Sequence, residues 1–233
     1  MDTSFPNIDE QSKGVQEVCA IIVKYNAERN FGLRCLHRHY EMFDGQIMLG
    51  NIIKPHGYLT KPTPIPQSNE LHRISPQVWS ARRTEGSSIE SATLWPSEFR
   101  QGPPVNIDDR FYSEIAKCLC ENRLENTLGL EAIQDPARMK IEFSTSMGSI
   151  LLMKEKVNAE IIMQHTTKVT GWVVTVEKGA SFRLTEDTEC VVGPGPNGGE
   201  EHRRISLPPV KSKDLDMENY IYSLCKAQQH PNS

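Results

Sequence analysis

Apolar residues recur at helical spacing in three parts of the chain. Val15, Val18 and Ile22 form one such stripe, which is the pattern of a helix that buries one face. Asp9 or Ser12 can cap the first helix, and the carboxylates of Asp108 and Asp109 suit the first turn of the second. The spacing predicts helices over about residues 9 to 28, 108 to 123 and 214 to 227.

Elsewhere apolar residues alternate with polar ones, and this period of two predicts β-strands. The dipeptide Asp44-Gly45 lies between two apolar-bearing runs, 31 to 40 and 46 to 53, so a β-hairpin is expected there. Alternating runs from 140 to 192, one of them at 159 to 163, predict an antiparallel meander. Two further short strands are expected at 77 to 84 and 89 to 95.

Proline and glycine interrupt these patterns in two places. The prolines between residues 54 and 76 predict an extended surface loop, because proline has no backbone N–H to give to a sheet. The Gly/Pro-rich segment 193 to 199 predicts a second loop. The expected fold class is therefore α+β, a single domain over residues 1 to 233 with a curved antiparallel sheet and a few flanking helices.

Composition narrows the partners. With 233 residues, 37% of them hydrophobic, the chain can bury a large core without disulfides or metal. Lys and Arg number 26 against 30 Asp and Glu, so the cationic field that nucleic acid requires is missing, and no nucleic-acid partner is expected. No apolar run is long enough for a membrane span, and the acidic N-terminus does not resemble a secretory signal. A cytoplasmic location with reduced cysteines is expected, and the oligomeric state stays open.

The sharpest chemical feature is His37-Arg38-His39 in the first predicted strand. Side chains two apart on a strand share a face, so His37 and His39 could ligate one ion or flank one substrate, with Tyr40 on the opposite face. The alternative is a pair of half-exposed polar residues without a role.

Cys190 and His202 would complete a four-ligand zinc set with His37 and His39. That set requires two segments distant in sequence to meet, and a cysteine at a strand end is more often a small buried hydrophobe. The expectation is therefore that the protein binds no metal.

Other candidates lie in the predicted strands. Glu142 or His165, if turned into an apolar cavity, would have a shifted pKa and could act as a general acid or base; the alternative is that Glu142 faces solvent and His165 ends a strand. Aromatic side chains could line a pocket for an apolar ligand, although core packing is their commoner role. These are Trp79, Trp95, Trp172 and Tyr40.

Several common catalytic motifs are missing. The glycines at 193 to 199 lack the Gly-Lys-Ser/Thr ending of a phosphate loop, and the chain has no Gly-x-Ser-x-Gly nucleophile elbow. Cys118 and Cys120 fall on a predicted helix, where residues two apart point in different directions and cannot chelate together. No cofactor is therefore expected.

The run Phe31-Gly-Leu-Arg-Cys-Leu-His-Arg-His-Tyr40, then Thr170-Gly-Trp-Val-Val174, Cys190 and His202, resembles a group of fungal proteins associated with specialised-metabolite pathways. The resemblance covers about the first 55 residues and residues 125 to 205. It implies a setting, since that group has no agreed catalytic residues. Small stand-alone proteins of such pathways are often cyclases, isomerases or dehydratases without a redox cofactor.

The resulting expectation is a cofactor-independent cyclase or isomerase, with a pericyclase such as a Diels–Alderase among the possibilities, acting on a small apolar metabolite. The alternative is a non-catalytic binding or interaction module with a structural zinc site.

Overall fold

The structure is a computed structural model. It describes residues 8–37, 40, 42–53, 57–83, 86, 88–133, 138–145, 148–177, 181–194, 200–203 and 225, with the backbone alone at 200–202.

Most of the chain forms β-strands. The described part contains eleven of them: β1 (Phe31–Cys35), β2 (Gln46–Ile53), β3 (Gly57–Pro64), β4 (Ile74–Arg82), β5 (Thr93–Gln101), β6 (Leu128–Ala132), β7 (Lys140–Ser144), β8 (Ser149–Met153), β9 (Thr166–Val176), β10 (Phe182–Pro194) and β11 (Glu200–His202).

Ten of these strands close into a barrel. They follow the order β10-β7-β8-β3-β2-β5-β4-β6-β1-β9, and β9 pairs with β10 again, while β11 pairs with the end of β10. The pairings β2–β5 and β7–β10 are parallel and the others antiparallel. The fold is mixed α and β, as predicted, but the sheet is closed and of mixed direction rather than curved and antiparallel.

Three α-helices accompany the barrel: α1 (Lys13–Lys24), α2 (Asp109–Glu121) and α3 (Ala159–Met163). The Ser12 and Asp108 side chains accept hydrogen bonds from the N–H groups of Val15 and Arg110, at 3.5 and 2.8 Å. Of the two caps considered for the first helix, Ser12 is therefore the one used, and α1 begins at Lys13 rather than near residue 9. None of the helices in the described part of the chain combines the length and the apolar character that crossing a bilayer requires.

The predicted helix at 214 to 227 lies outside the described residues except for Cys225. That residue forms an isolated β-bridge with Val157.

Apolar side chains cover the outer surface of the barrel. α1 and α2 are amphipathic, with polar faces in solvent, and their buried faces pack on a cluster that includes Phe31 and Leu33 of β1 and Leu130 of β6. A second cluster around Ile141 and Phe143 of β7 packs against α3. Because successive residues of a strand point to opposite faces, the residues between these apolar ones face the interior.

The interior is polar and charged. Arg34 of β1 forms an ion pair with Glu142 of β7, although β9 and β10 separate those strands, so the two side chains meet across the inside of the barrel. Lys140 of β7 pairs there with Asp187 of β10 at 2.8 Å. The polar positions that the sequence places between apolar ones therefore point inward, which is the reverse of a solvent-facing sheet.

The prediction of a β-hairpin around Asp44-Gly45 is wrong. β1 ends at Cys35 and pairs with β6 and β9, whereas β2 pairs with β3 and β5. The turn at Gly45, with φ 79°, leads into β2 but does not join it to β1. β1 is buried at every position and requires partners on both edges, which a local turn motif cannot specify.

The prediction of an antiparallel meander from 140 to 192 is correct in part. The β7–β8 and β9–β10 hairpins are present, but residues 159 to 163 form α3, which begins where the Asn158 side chain accepts a hydrogen bond from the Glu160 N–H at 3.0 Å. β10 then pairs with β7 in parallel instead of extending an antiparallel series.

The proline-rich segment 54 to 76 is also not one loop, because it contains β3 and the start of β4. β8 pairs with β3 only from Gly57 to Thr60, so Pro62 and Pro64 lie where the strand pairs with β2 alone. A missing backbone N–H is tolerated at such a position. The Gly/Pro loop predicted at 193 to 199 begins inside β10, which continues to Pro194; residues 195 to 199 are not described.

Candidate acid–base centre in the barrel

Three strands bring the centre together. Glu142 of β7 and Cys190 of β10 are direct partners in the parallel β7–β10 register, and Arg34 of β1 reaches them from across the interior. His37 follows the end of β1 by two residues and lies at the same place, with its side chain 5% exposed. The centre thus depends on barrel closure, because no two of its strands are neighbours in sequence.

The contacts converge on one carboxylate oxygen. Glu142 Oε2 accepts hydrogen bonds from Arg34 Nη2 at 2.5 Å and from the Cys190 thiol at 2.9 Å. His37 Nε2 lies 3.7 Å from Cys190 Sγ and 4.0 Å from the same Glu142 oxygen. An imidazole, a thiol, a carboxylate and a guanidinium therefore share one buried site.

The backbone fixes the protonation of the histidine ring. His37 Nδ1 lies 2.8 Å from the carbonyl oxygen of Cys35, which can only accept a hydrogen bond, so Nδ1 carries a proton. In the neutral ring Nε2 then presents its lone pair toward Cys190 and Glu142.

One guanidinium faces several carboxylates. Burial lowers the pKa of Arg34, but the charges of Glu142 and Glu131 outweigh it and hold that pKa well above its ordinary value. Arg34 Nη1 lies 3.8 Å from Glu131, too far for a hydrogen bond, and has no hydrogen-bond partner among the described residues. A buried donor in that state is suited to an oxygen atom of a ligand.

Several buried carboxyl groups face the single Arg34 guanidinium, and two of them have raised pKa values. Burial, and to a smaller extent repulsion from Glu142 and Glu131, raises the pKa of Glu98 to about 7, although Arg34 opposes the shift. Burial likewise raises the pKa of Glu131. Glu98 therefore exchanges a proton near neutral pH, as a general acid or base must.

Cys190 is not arranged as a nucleophile. Burial and the neighbouring Glu142 carboxylate raise the pKa of its thiol well above the ordinary value. Its second partner is the Thr170 hydroxyl at 3.1 Å. Because the thiolate is the reactive form, the metal-free centre favours proton transfer over covalent chemistry.

Tyr40 lies near the centre, although not on a strand. Its hydroxyl donates to the Thr145 carbonyl oxygen at 2.6 Å, which ties the segment after His37 to the β7–β8 connection. His39 is outside the described residues, and of His202 only the backbone in β11 is described. Of the metal ligands considered from the sequence, His37 and Cys190 meet, and Glu142 is their third neighbour.

The remaining candidates lie elsewhere. His165 lies two residues after the end of α3, where its Nδ1 contacts the Ile161 carbonyl oxygen at 2.7 Å. Trp172 is in the outer cluster and donates to Glu10 at 2.6 Å, while Trp95 is 53% exposed beneath Arg82. Trp79 lines an outer groove of about 680 Å³ beside α2. The three tryptophans therefore do not line one common pocket.

Sequence reasoning missed Arg34, Glu98 and Glu131. A signal was present, because Arg34 and Glu131 each stand between apolar residues of short strands, in Leu33-Arg34-Cys35 and Leu130-Glu131-Ala132. A charge in such a strand, when the second face is also covered, requires a buried counter-ion.

Comparison with protein-family models, with curated proteins and with solved structures finds no match to this chain. The interpretation of the centre therefore depends on its geometry.

Proposed function

We propose that the interior of the barrel catalyses a proton-transfer isomerisation or cyclisation of a small metabolite, without a redox or nucleotide cofactor. The observation that carries the proposal is the convergence of His37, Glu142 and Arg34 at one buried site, with a hydrogen-bond donor of Arg34 left unpartnered.

Two of these groups act on the substrate in this proposal, His37 as the base and Arg34 as the hydrogen-bond donor. His37 Nε2, whose lone pair faces the site in the neutral ring, removes a proton from a carbon atom of the substrate. Arg34 Nη1 donates to the substrate oxygen on which negative charge develops, and the proton then returns at another position. Positioned acid–base groups of this kind accelerate reactions by about 10² to 10⁴.

The charged groups of the interior also change the class of substrate that is expected. The sequence suggested an apolar metabolite, but an unpartnered guanidinium donor among carboxylates favours an uncharged ligand with a carbonyl oxygen. It favours proton transfer over a pericyclic reaction, because shape catalysis alone requires an apolar cavity and no buried acid–base groups.

The test is deletion of the gene in the organism that carries it, followed by metabolite profiling and complementation. We expect one precursor to accumulate, the wild-type gene to restore the product, and a His37→Gln variant to leave the precursor. The control is His72→Ala, which changes an exposed histidine of a short 3-10 helix far from the centre in sequence. An unchanged profile after deletion, or full restoration by His37→Gln, would contradict the proposal.

A further inference from the structure

We propose that His37, Glu142 and Cys190 bind one divalent transition-metal ion, with zinc as the best fit. The three residues offer a nitrogen, a carboxylate oxygen and a sulfur atom, and these ligand atoms all lie within 4.8 Å of one another. Imidazole and thiolate together are the ligands that zinc prefers. The inference does not depend on the proton-transfer function, but it changes the role of His37: with an ion bound, Nε2 is a ligand, so the base role assigned to it applies only to the centre without metal.

The spacing nearly matches a tetrahedral zinc ion. Bonds of about 2.3 Å to sulfur and 2.1 Å to nitrogen or oxygen place sulfur about 3.6 Å from each of the other ligands, and nitrogen about 3.4 Å from oxygen. The observed separations are 3.7 Å for Cys190 to His37, 4.0 Å for His37 to Glu142 and 2.9 Å for Cys190 to Glu142. The Cys190–Glu142 separation must therefore lengthen by about 0.7 Å and the His37–Glu142 separation must shorten by about 0.6 Å, while the Cys190–His37 separation already fits.

That lengthening is the expected result of metal binding. The 2.9 Å contact is a hydrogen bond in which the Cys190 thiol proton lies between sulfur and the Glu142 oxygen. When zinc binds, the S–H bond breaks, the proton leaves to solvent, and an S–Zn bond forms without oxidation or reduction. The carboxylate and the thiolate then hold the ion between them.

The surrounding hydrogen bonds already have the form found around metal ligands. His37 Nδ1–H donates to the Cys35 carbonyl oxygen, the type of contact that orients a ligating histidine ring. Arg34 orients the Glu142 carboxylate, and the Thr170 hydroxyl lies 3.1 Å from the Cys190 sulfur. Each proposed ligand therefore has an orienting partner.

The number of ligands indicates the type of site. In the described part of the chain the set has three members, the number typical of a catalytic zinc, whose fourth position takes water or a substrate oxygen. The sequence favoured a metal-free protein because the segments of His37 and Cys190 would have to meet. They do meet, so that reason no longer holds.

The test uses the full chain. Metal is removed by dialysis against a chelator, and Co²⁺ is added while absorbance is recorded, since a cobalt–thiolate bond gives a charge-transfer band. We expect about one Co²⁺ per chain with that band, displaced by one equivalent of Zn²⁺. A chain that binds less than a tenth of an equivalent, or that shows no thiolate band, would overturn the proposal.

Matched variants locate the site. Cys190→Ser and His37→Gln should each abolish the band or weaken Co²⁺ binding at least tenfold. Cys120→Ala, a buried thiol of α2, and His72→Ala should leave both unchanged. Circular dichroism checks that each variant is folded, and His37→Gln serves as the readout if the buried Cys190→Ser does not fold, since His37 lies outside any strand. Unchanged binding in a folded His37→Gln or Cys190→Ser variant would contradict the site.

The outcome can be separated from that of the proposed function, because metal binding is measured without substrate. A bound ion together with an unchanged metabolite profile would support the site and contradict the enzyme. The converse would support proton transfer and contradict the metal.

Discussion

At the scale of single residues, Arg34 organises the interior. Its guanidinium bonds to Glu142 and faces Glu131, and its side chain is only 8% exposed. Breaking a buried ion pair on one side leaves the other charge without compensation, which costs far more than the pair itself contributes.

We therefore expect Arg34→Met to lower the free energy of unfolding by about 3 to 5 kcal/mol. Urea denaturation of the purified protein measures this. Arg183→Met, which removes an exposed pair with Glu177 at 3.5 Å, should cost less than about 1 kcal/mol. A similar loss of unfolding free energy in the two variants would show that the buried ion pair contributes no more to stability than the exposed one.

Glu98 gives a second prediction, on pH. Its folded-state pKa of about 7 lies above the ordinary value of 4.5, so the folded protein holds this proton more tightly than the unfolded chain does. The associated stability is complete below about pH 4.5 and is lost as the pH rises through 7.

Glu98→Gln removes that dependence. Relative to wild type, the variant should gain about 1 to 2 kcal/mol of unfolding free energy between pH 5 and pH 8, less than the full shift implies because the side chain is partly exposed. Urea titrations at both pH values measure it. Parallel pH profiles of the two proteins would refute the assignment.

At this scale the sequence alone predicted some residues of the centre and missed others. His37, Glu142 and Cys190 could be selected because their side chains are chemically distinctive, and two of them were even considered together as ligands. Glu98 was not selected, because a glutamate in a strand is ordinarily solvent-facing and only barrel closure turns it inward. The charge of Arg34 between two apolar residues becomes informative only when both faces of β1 are known to be covered.

At the scale of elements, local signals specified α1 and α2 well, but α3 and the strand pairing poorly. α1 and α2 each have a cap and an apolar stripe, so everything that defines them lies within a few residues. The partners of β1 lie about 100 and 140 residues away in sequence, at Leu130 and Val173. No turn motif near β1 contains that information.

The β1–β9 pairing gives a prediction at this scale. A Cβ atom at Gly32 would lie 2.3 Å from the Trp172 carbonyl oxygen, so the strands could not keep their present separation. Gly32→Ala should cost about 1 to 3 kcal/mol or more in unfolding free energy. Gly193→Ala is the matched control, because its nearest neighbour would be a side-chain atom at 3.4 Å. Equal stability of the two variants would contradict the close approach.

At the scale of the whole molecule, apolar clusters lie outside the barrel and charges inside it. Periodicity correctly indicated that the strands have one apolar face, but it does not reveal which side of a sheet that face covers. The sequence therefore left open whether Glu142 faces solvent or a cavity, and closure, the two parallel pairings and the charged interior were not predicted.

The pairing of β1 with β9 has a consequence for folding during protein synthesis. During synthesis β1 leaves the ribosome about 140 residues before its partner strand at Val173. Until then β1 has an unpaired edge and an apolar face, which attract other nascent strands. Slow translation between β6 and β9 should therefore lower the yield of active protein more than slow translation after β10 does.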